Sequence, residues 1–237
     1  MHTRWAVWLT VRGDIRFLSH HELMRLIERA AARAKLPLKY SQGFNPRPRI
    51  ALALPRPVGV ASEAELLTFE FDRTPADDWT DCLSARLDPG LRILRADPLP
   101  GRRPPRVISA AYEMPLDEGE GPAVAARLAE LNEREAWSVR RPSRPKRKGR
   151  PVAGRTIDIR SGVRRLQADG DRLRFELSAE EGTTARPADV IRLLGLAEEP
   201  GPGGASADCG AALARLTRVR LEAHTPPPED GQRNPQQ

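Results

Sequence analysis

The stretch "SHHELMRLIERAAARAK", residues 19–35, carries the clearest structural signal in the sequence. Ser19 and Glu22 form the S-x-x-E pattern of a capping box, in which each side chain satisfies a backbone N–H at the start of a helix. Apolar residues then recur at helical spacing and predict one buried stripe: Leu23, Leu26, Ile27, Ala30, Ala31 and Ala34. Pro37 is predicted to end this helix.

Alternating apolar residues predict strands on both sides of this helix. Residues 5–11 alternate before it, and residues 50–54 and 67–71 alternate after it. A second helix is predicted to begin with an N-cap at Thr74 and a proline at Pro75, and a short last strand follows. The succession β-α-β-β-α-β is that of a ferredoxin-like module.

The same succession is predicted again in the second half of the chain. Residues 98–106, "PLPGRRPPR", are typical of a proline-rich linker. The predicted fold class is therefore α+β, with two ferredoxin-like β-α-β-β-α-β modules in tandem at residues 1–97 and 107–223. Residues 224–237 are predicted to be a disordered tail.

Composition favours a soluble globular protein, with 39% hydrophobic and 30% charged residues. No apolar run approaches the roughly 20 residues that a membrane helix needs, and the first residues read as a strand and not as a signal peptide. We therefore expect a cytoplasmic protein without membrane association. The two cysteines, Cys82 and Cys209, are far apart in sequence, so no zinc site or iron–sulfur cluster is expected. No cofactor is predicted.

The positive charge of the chain is concentrated in residues 140–150, "RRPSRPKRKGR". The seven basic residues of this segment equal the formal net charge of +7, so the rest of the chain is balanced. They are Arg140, Arg141, Arg144, Lys146, Arg147, Lys148 and Arg150. Prolines and a glycine break any helix here, and the segment is predicted to be a mobile arm that neutralises RNA phosphates. The alternative is a solvated loop without a partner.

A second candidate is the stretch "SQGFNPRPRI", residues 41–50, which follows the aromatic residue Tyr40 and contains the aromatic residue Phe44. Its glycine permits a sharp turn, and its two prolines favour a stiff, extended segment. Such a segment would present Asn45, Arg47 and Arg49 to a ligand at a reduced cost in entropy. The alternative is a stiff connection between the first helix and the next strand.

The first helix offers further candidates on the face opposite its apolar stripe. His21, Arg25 and Arg29 are spaced four residues apart and would share an anion-binding face or a merely solvated one. His20 is a candidate acid or base, or a half-buried side chain with satisfied hydrogen bonds, and the residues of 41–50 would have to fold back along the helix to reach it.

Residues 15–72, "IRFLSHHELMRLIERAAARAKLPLKYSQGFNPRPRIALALPRPVGVASEAELLTFEFD", resemble the radical-SAM-linked protein family. The resemblance continues through "RTIDIR" (155–160), where Asp158 is expected to accept a neighbouring backbone hydrogen bond, and "RPADVIRLL" (186–194). Members of this bacterial family occur as a domain at the C-terminal end of a cobalamin-type radical SAM protein or as a separate small protein. The resemblance implies a role in RNA or tRNA modification. Because this chain lacks a three-cysteine cluster motif, another chain would supply the radical chemistry.

Three functions are compatible with these features. The first is a non-catalytic binding module for structured RNA, such as tRNA or rRNA, that works beside a separately encoded radical SAM enzyme. The second is a metal-independent RNA endonuclease of the duplicated ferredoxin-like type, with His20 or His21 as acid or base, which rests on fold analogy alone. The third is a protein-only adaptor for the radical SAM chain.

Overall fold

The computed structural model of the protein describes residues 3–100, 103–141, 154–180, 185–197 and 209–224. Its elements are mixed α and β, and their strand pairing is mostly antiparallel, so the predicted α+β class is confirmed. The chain divides into two compact units, counting in each only the described residues. The first is drawn from Met1–Arg56, Ser62–Ile108 and Leu221–Gln237, and the second from Pro57–Ala61 and Ser109–Arg220.

The first unit places two helices on one face of an antiparallel sheet. Its elements are β1 (Thr3–Val11), α1 (His20–Arg33), β2 (Ile50–Leu52), β3 (Ala61–Phe71), α2 (Trp79–Ser84) and β4 (Leu91–Pro98). The strands follow the order β4-β1-β3, and β2 pairs with β3. Alternate strand residues such as Val7 and Phe69 pack against Ile27 in the core. The intervening residues, among them Arg4 and Glu70, therefore lie on the opposite face.

The second unit contains more elements than the predicted succession. Its elements are β5 (Arg106–Pro115), α3 (Glu120–Asn132), β6 (Ser138–Arg141), β7 (Arg155–Asp158), β8 (Val163–Asp169), β9 (Arg172–Ser178), α4 (Pro187–Leu193), α5 (Gly210–Arg215) and β10 (Thr217–His224). Four strands follow the order β10-β5-β9-β8, whereas β6 and β7 pair only with each other among the described strands. The hairpin of β6 and β7 is thus an addition to the main sheet.

The first helix begins as the sequence predicts. The Ser19 backbone N–H donates to Glu22 Oε2 over 2.8 Å, and the Glu22 backbone N–H donates to Ser19 Oγ over 3.4 Å. The predicted start of the second helix is wrong. Helix α2 begins at Trp79 after an Asp78 N-cap, because the backbone N–H of Trp79 first closes a turn onto the carbonyl of Ala76.

The first helix also ends earlier than its proline predicts. Lys35 adopts a left-handed conformation with φ of 52°, and its N–H donates to the carbonyl of Ala32 over 3.0 Å. The N–H of Leu36 donates to the carbonyl of Ala31 over 3.2 Å. These two hydrogen bonds make a Schellman motif, in which glycine is the usual left-handed residue.

Replacing Lys35 with glycine is expected to raise the free energy of unfolding by about 1 kcal/mol, because the left-handed conformation carries no Cβ penalty in glycine. Urea denaturation measures the change. Lys35→Ala is the control, since alanine keeps the Cβ and should gain none of this stability. Equal stabilities for the glycine and alanine variants would contradict the assignment.

Candidate functional site

Residues 39–49 form a closed loop on the first unit, which we call the 39–49 hairpin. Tyr40 and Pro48 make an antiparallel bridge, and the Arg49 N–H donates to the carbonyl of Lys39 over 2.8 Å. Ser41 closes the turn twice: its N–H donates to the carbonyl of Arg47 over 2.8 Å, and its Oγ accepts from the Arg47 N–H over 3.0 Å. The predicted extended course is therefore wrong, because these bonds fold the segment back on itself.

The base of the hairpin is fixed to strand β3. The Lys39 N–H donates to the carbonyl of Glu70 over 2.8 Å, and the Glu70 N–H donates to the carbonyl of Arg49 over 3.0 Å. Leu38 forms a further antiparallel bridge with Phe71. The tip is thus carried on the edge of a sheet, and Gly43, with φ of 135°, permits its reversal.

The tip presents an aromatic ring among polar and charged side chains. Phe44 is fully exposed, and Tyr40 is 44% exposed. Asn45, Arg47 and Arg49 are also exposed, as predicted. Exposed aromatic rings stack on unpaired bases, and guanidinium groups bind phosphates through paired N–H donors. The tip therefore combines the chemical groups that bind single-stranded nucleic acid.

Two cavities lie against the hairpin. One, of about 620 Å³, is lined by Lys39, Ser41, Gln42, Pro46, Arg49 and Asp72. The other, of about 410 Å³, is lined by Arg4, Ser41, Arg49, Ala51, Thr68 and Glu70. Ser41 and Arg49 line both cavities, so the closed base of the hairpin is the wall that they share.

The two candidate histidines begin helix α1. Their ring centroids lie 5.4 Å apart. His21 is exposed, whereas His20 is half-buried, with an Nδ1 atom that has no hydrogen-bond partner among the described residues. Neither histidine lines either of the two cavities. The two cavities thus join residues of the hairpin but neither histidine, and both the approach of the hairpin to His20 and the catalytic role of the histidines stay predictions.

The exposed face of helix α1 carries Arg25 and Arg29. The Arg29 Nε donates to the carbonyl of Arg25 over 3.3 Å. Hydrogen bonds from Ser19, with a smaller contribution from the positive charge of Arg25, hold the pKa of Glu22 below its usual value. These contacts are ordinary for a solvated helix face, and anion binding there stays a prediction.

The predicted basic arm begins in a strand. Arg140 and Arg141 belong to β6, where they pair with Thr156 and Arg155 of β7. Arg141 also forms a two-point contact with the carboxylate of Asp189: its Nε donates to Oδ1 over 3.0 Å and its Nη2 donates to Oδ2. The prediction of a loop is therefore wrong for Arg140 and Arg141, because β7 and a buried carboxylate hold them.

The other basic residues of the predicted arm lie outside the described residues, as do 225–237 of the predicted tail. They are Arg144, Lys146, Arg147, Lys148 and Arg150.

Asp158 has the structural role that the sequence predicts. Its Oδ1 accepts from the N–H of Trp137 over 2.8 Å and from the N–H of Arg160 over 3.0 Å. These backbone hydrogen bonds, that of Arg160 first, hold the pKa of Asp158 below its usual value. The carboxylate thus joins the residue before β6 to the turn after β7.

The described residues lack two features that would point to other functions. No group of three or more His, Cys, Asp and Glu side chains is placed there to hold a metal ion. No described helix combines the length and the apolar character that crossing a bilayer requires.

Sequence analysis missed two charged residues of the smaller cavity, Arg4 and Glu70. They are cross-strand partners on β1 and β3. The available signal was alternation: Arg4 precedes the core-facing run that begins at Trp5, and Glu70 stands between Phe69 and Phe71. Both therefore belong to the sheet face that the helices do not cover.

Comparison with known proteins identifies a bacterial family. A model described as "Uncharacterized protein conserved in bacteria (DUF2344)" matches residues 4–187, more than half of the chain. The chain belongs to this family. The matched residues include the 39–49 hairpin and both cavities beside it. Comparison with curated proteins gave no match.

Among solved structures, the chain is similar to an unknown protein from Galdieria sulphuraria. The two are 12% identical, and the comparison covers 94% of this chain and 98% of the other, with a TM-score of 0.27. A score of this size does not indicate a shared fold, so nothing follows from it about this chain.

Proposed function

We propose that the protein is a non-catalytic RNA-binding accessory module that uses the 39–49 hairpin to contact unpaired bases. The observation that carries this proposal is Phe44, a phenylalanine fully exposed at the tip of a loop fixed to β3. Burying such a ring against a base would remove its apolar surface from water. Arg47 and Arg49 would meet the phosphates on either side.

The anchoring of the hairpin supports this function. Its base makes backbone hydrogen bonds to Glu70, so the two arms that carry the tip are already in place before a ligand arrives. A preformed loop loses less conformational entropy on binding than a flexible one. RNA recognition by proteins relies on splayed bases that stack on aromatic side chains, and this requires a ring held in an accessible position.

The proposed partner is a separately encoded radical SAM enzyme, with tRNA or rRNA as the shared substrate, in the cytoplasm. This part of the proposal is supported by the sequence resemblance of residues 15–72 and by the absence of a three-cysteine motif in a chain with two cysteines. The proposed architecture is a pair of ferredoxin-like modules. It is supported by the parallel between the order β4-β1-β3-β2 in one unit and β10-β5-β9-β8 in the other.

Incubation with labelled tRNA tests the proposal and separates its alternatives. We expect the protein to retain the RNA without cleaving it. Cleavage that is lost in His20→Ala or His21→Ala would instead support the endonuclease. A protein that binds neither tRNA nor rRNA but binds the radical SAM chain would be an adaptor, and the RNA proposal would then be wrong.

Replacing Phe44 with alanine is expected to weaken RNA binding by about tenfold, because stacking of one base on an aromatic ring contributes about 1–3 kcal/mol. Fluorescence anisotropy with a labelled single-stranded RNA measures the change. Phe17→Ala is the matched control, since Phe17 is another exposed phenylalanine beside an arginine but lies outside the hairpin. The same affinity for Phe44→Ala and the unaltered protein would contradict the stacking role.

A further inference from the structure

Three charged side chains stand in a row across the smaller cavity. Arg4 of β1 pairs with Glu70 of β3 in the strand register, and the Glu70 N–H donates to the carbonyl of Arg49, the residue before β2. Glu70 Oε1 lies 3.6 Å from Arg4 Nε, and Oε2 lies 3.6 Å from Arg49 Nη1. One carboxylate therefore faces two guanidinium groups, and the row keeps an excess of one positive charge.

Arg4 has donors that the described protein does not satisfy. Its side chain is only 11% exposed, and its Nε and Nη1 atoms are buried without a hydrogen-bond partner among the described residues. Glu70 contributes an ion pair at 3.6 Å but no hydrogen bond to these atoms. Burying a charged donor without an acceptor is costly, and Arg4 also lines the cavity, so an anion seated against its guanidinium group would offset part of this cost.

The rest of the cavity selects the kind of anion. Its volume of about 410 Å³ falls in the range of small-molecule sites. Ser41 and Thr68, which carry hydroxyl groups, line it together with the two arginines, and the apolar residues Ala51 and Pro104 line it as well. A phosphate group suits the charged and hydroxyl-bearing part, and a sugar or base suits the apolar part. This is the composition of a nucleotide.

We propose that this cavity binds the phosphomonoester of a nucleotide, with Arg4 and Arg49 holding the phosphate. A phosphomonoester carries close to two negative charges at neutral pH and has three oxygens that accept from more than one guanidinium. A phosphodiester within a strand has one charge and two such oxygens. The group could come from a free nucleotide or from the phosphorylated end of an RNA. The second source rests on the proposed function, since it makes the cavity a site for the end of the same RNA.

Calorimetric titration of the full chain with 5′-AMP and with adenosine tests the cavity without RNA. We expect 5′-AMP to bind about tenfold or more tightly than adenosine, as suits hydrogen bonds to a charged group. Anisotropy with short RNAs of one sequence that end in a 5′-phosphate, a 3′-phosphate or hydroxyl groups then identifies which terminus, if any, enters the cavity.

Two variants and one control test whether the preference for phosphate arises in this cavity. Arg4→Gln removes a proposed phosphate ligand. Ala51→Glu places a negative charge in the cavity from an exposed β2 position and leaves both arginines unsubstituted. Both should lose the preference for phosphate, and the second keeps the test valid if the first does not fold. Arg12→Gln is the control, because this exposed arginine pairs with Glu63 just beyond the other end of β1, about 26 Å from Arg4 at 3.3 Å per residue. It should keep the preference.

The outcomes separate the two proposals. If 5′-AMP binds with the preference expected but no RNA binds, the cavity is correct and the RNA-binding function is wrong. If RNA binds but neither 5′-AMP nor any phosphorylated terminus is preferred, the function stands and the phosphate site is overturned. A phosphate preference that survives both Arg4→Gln and Ala51→Glu would also overturn it.

Discussion

RNA affinity is expected to fall by about a hundredfold at physiological salt when five basic residues are replaced together with glutamine or serine. These residues are Arg144, Lys146, Arg147, Lys148 and Arg150. Each cation that neutralises a phosphate of a single strand contributes about 0.7 to the slope of log affinity against log salt, so the slope should flatten by up to about 3.5. Arg140 and Arg141 are kept, because they belong to β6 and Arg141 is held by Asp189. Binding isotherms at several salt concentrations measure both quantities.

The control variant loses the same number of positive charges, five, from positions outside the basic segment. Five exposed arginines that each pair with a carboxylate are replaced with glutamine: Arg12, Arg95, Arg134, Arg172 and Arg174. Affinity should change much less, because these positions are spread over both units and each arginine already pairs with a carboxylate. An equal loss in both variants would show an effect of net charge alone, and an unchanged salt slope in the first would exclude the segment as a phosphate contact.

Replacing Asp189 with alanine is expected to lower the free energy of unfolding by about 3 kcal/mol. Asp189 is 1% exposed and accepts from the guanidinium of Arg141 and from the backbone N–H of Arg186 over 2.9 Å. The alanine variant leaves the Arg141 side chain, which is only 17% exposed, without its buried carboxylate. Because removing the carboxylate from a buried ion pair takes the attraction of its charge from the arginine, this loss should greatly exceed that at an exposed pair. Urea denaturation measures it.

Asp169→Ala is the matched control for this prediction. Its carboxylate is 84% exposed and lies 3.7 Å from Arg174, so its loss should cost less than about 0.5 kcal/mol. The double variant Arg141→Met with Asp189→Leu should recover part of the lost stability, because it removes both charges and keeps apolar volume. A loss below about 1 kcal/mol in Asp189→Ala would show that the pair does not hold β6 to helix α4.

Local patterns predicted the elements that depend on neighbouring residues. The capping box of Ser19 and Glu22 is formed, and the alternation that begins at Trp5 marks the core face of β1. Helix α1 buries the predicted Leu23, Ile27, Ala30 and Ala31, although Met24 is buried as well and Leu26 and Ala34 are half-buried. Spacing therefore predicted the side of the helix that is buried, and the packing of the sheet decided how wide the buried stripe is.

Contacts between residues far apart in sequence could not be read in the same way. The hairpin closes through Ser41 and Arg47, but it takes its position from Glu70, which no local pattern connects to residues 39–49. Arg141 stood in the sequence as one cation of a basic run, and its partner Asp189 lies 48 residues away. From the sequence alone, every cation in such a run is expected to be exposed. The buried carboxylate that binds one of them is known only from the fold.

The same distinction, between local patterns and contacts across the fold, applies to the candidate site. Asn45, Arg47 and Arg49 could be predicted as exposed, because prolines and a glycine mark a loop and loops lie on the surface. Arg4 and Glu70 could not be joined to them, since that required the pairing of β1, β2 and β3. The chemistry of the hairpin tip is local, whereas the cavity at its base is a product of the sheet.

Ultraviolet crosslinking of the protein to a single-stranded RNA, followed by mass spectrometry of the crosslinked peptides, tests most directly whether the 39–49 hairpin contacts RNA. We predict crosslinks in the peptide that contains Phe44, and their loss in Phe44→Ala but not in Phe17→Ala. Crosslinks confined to other surfaces, such as the exposed face of α1 that carries Arg25 and Arg29, would contradict the account, as would the absence of any crosslink under conditions in which RNA is bound.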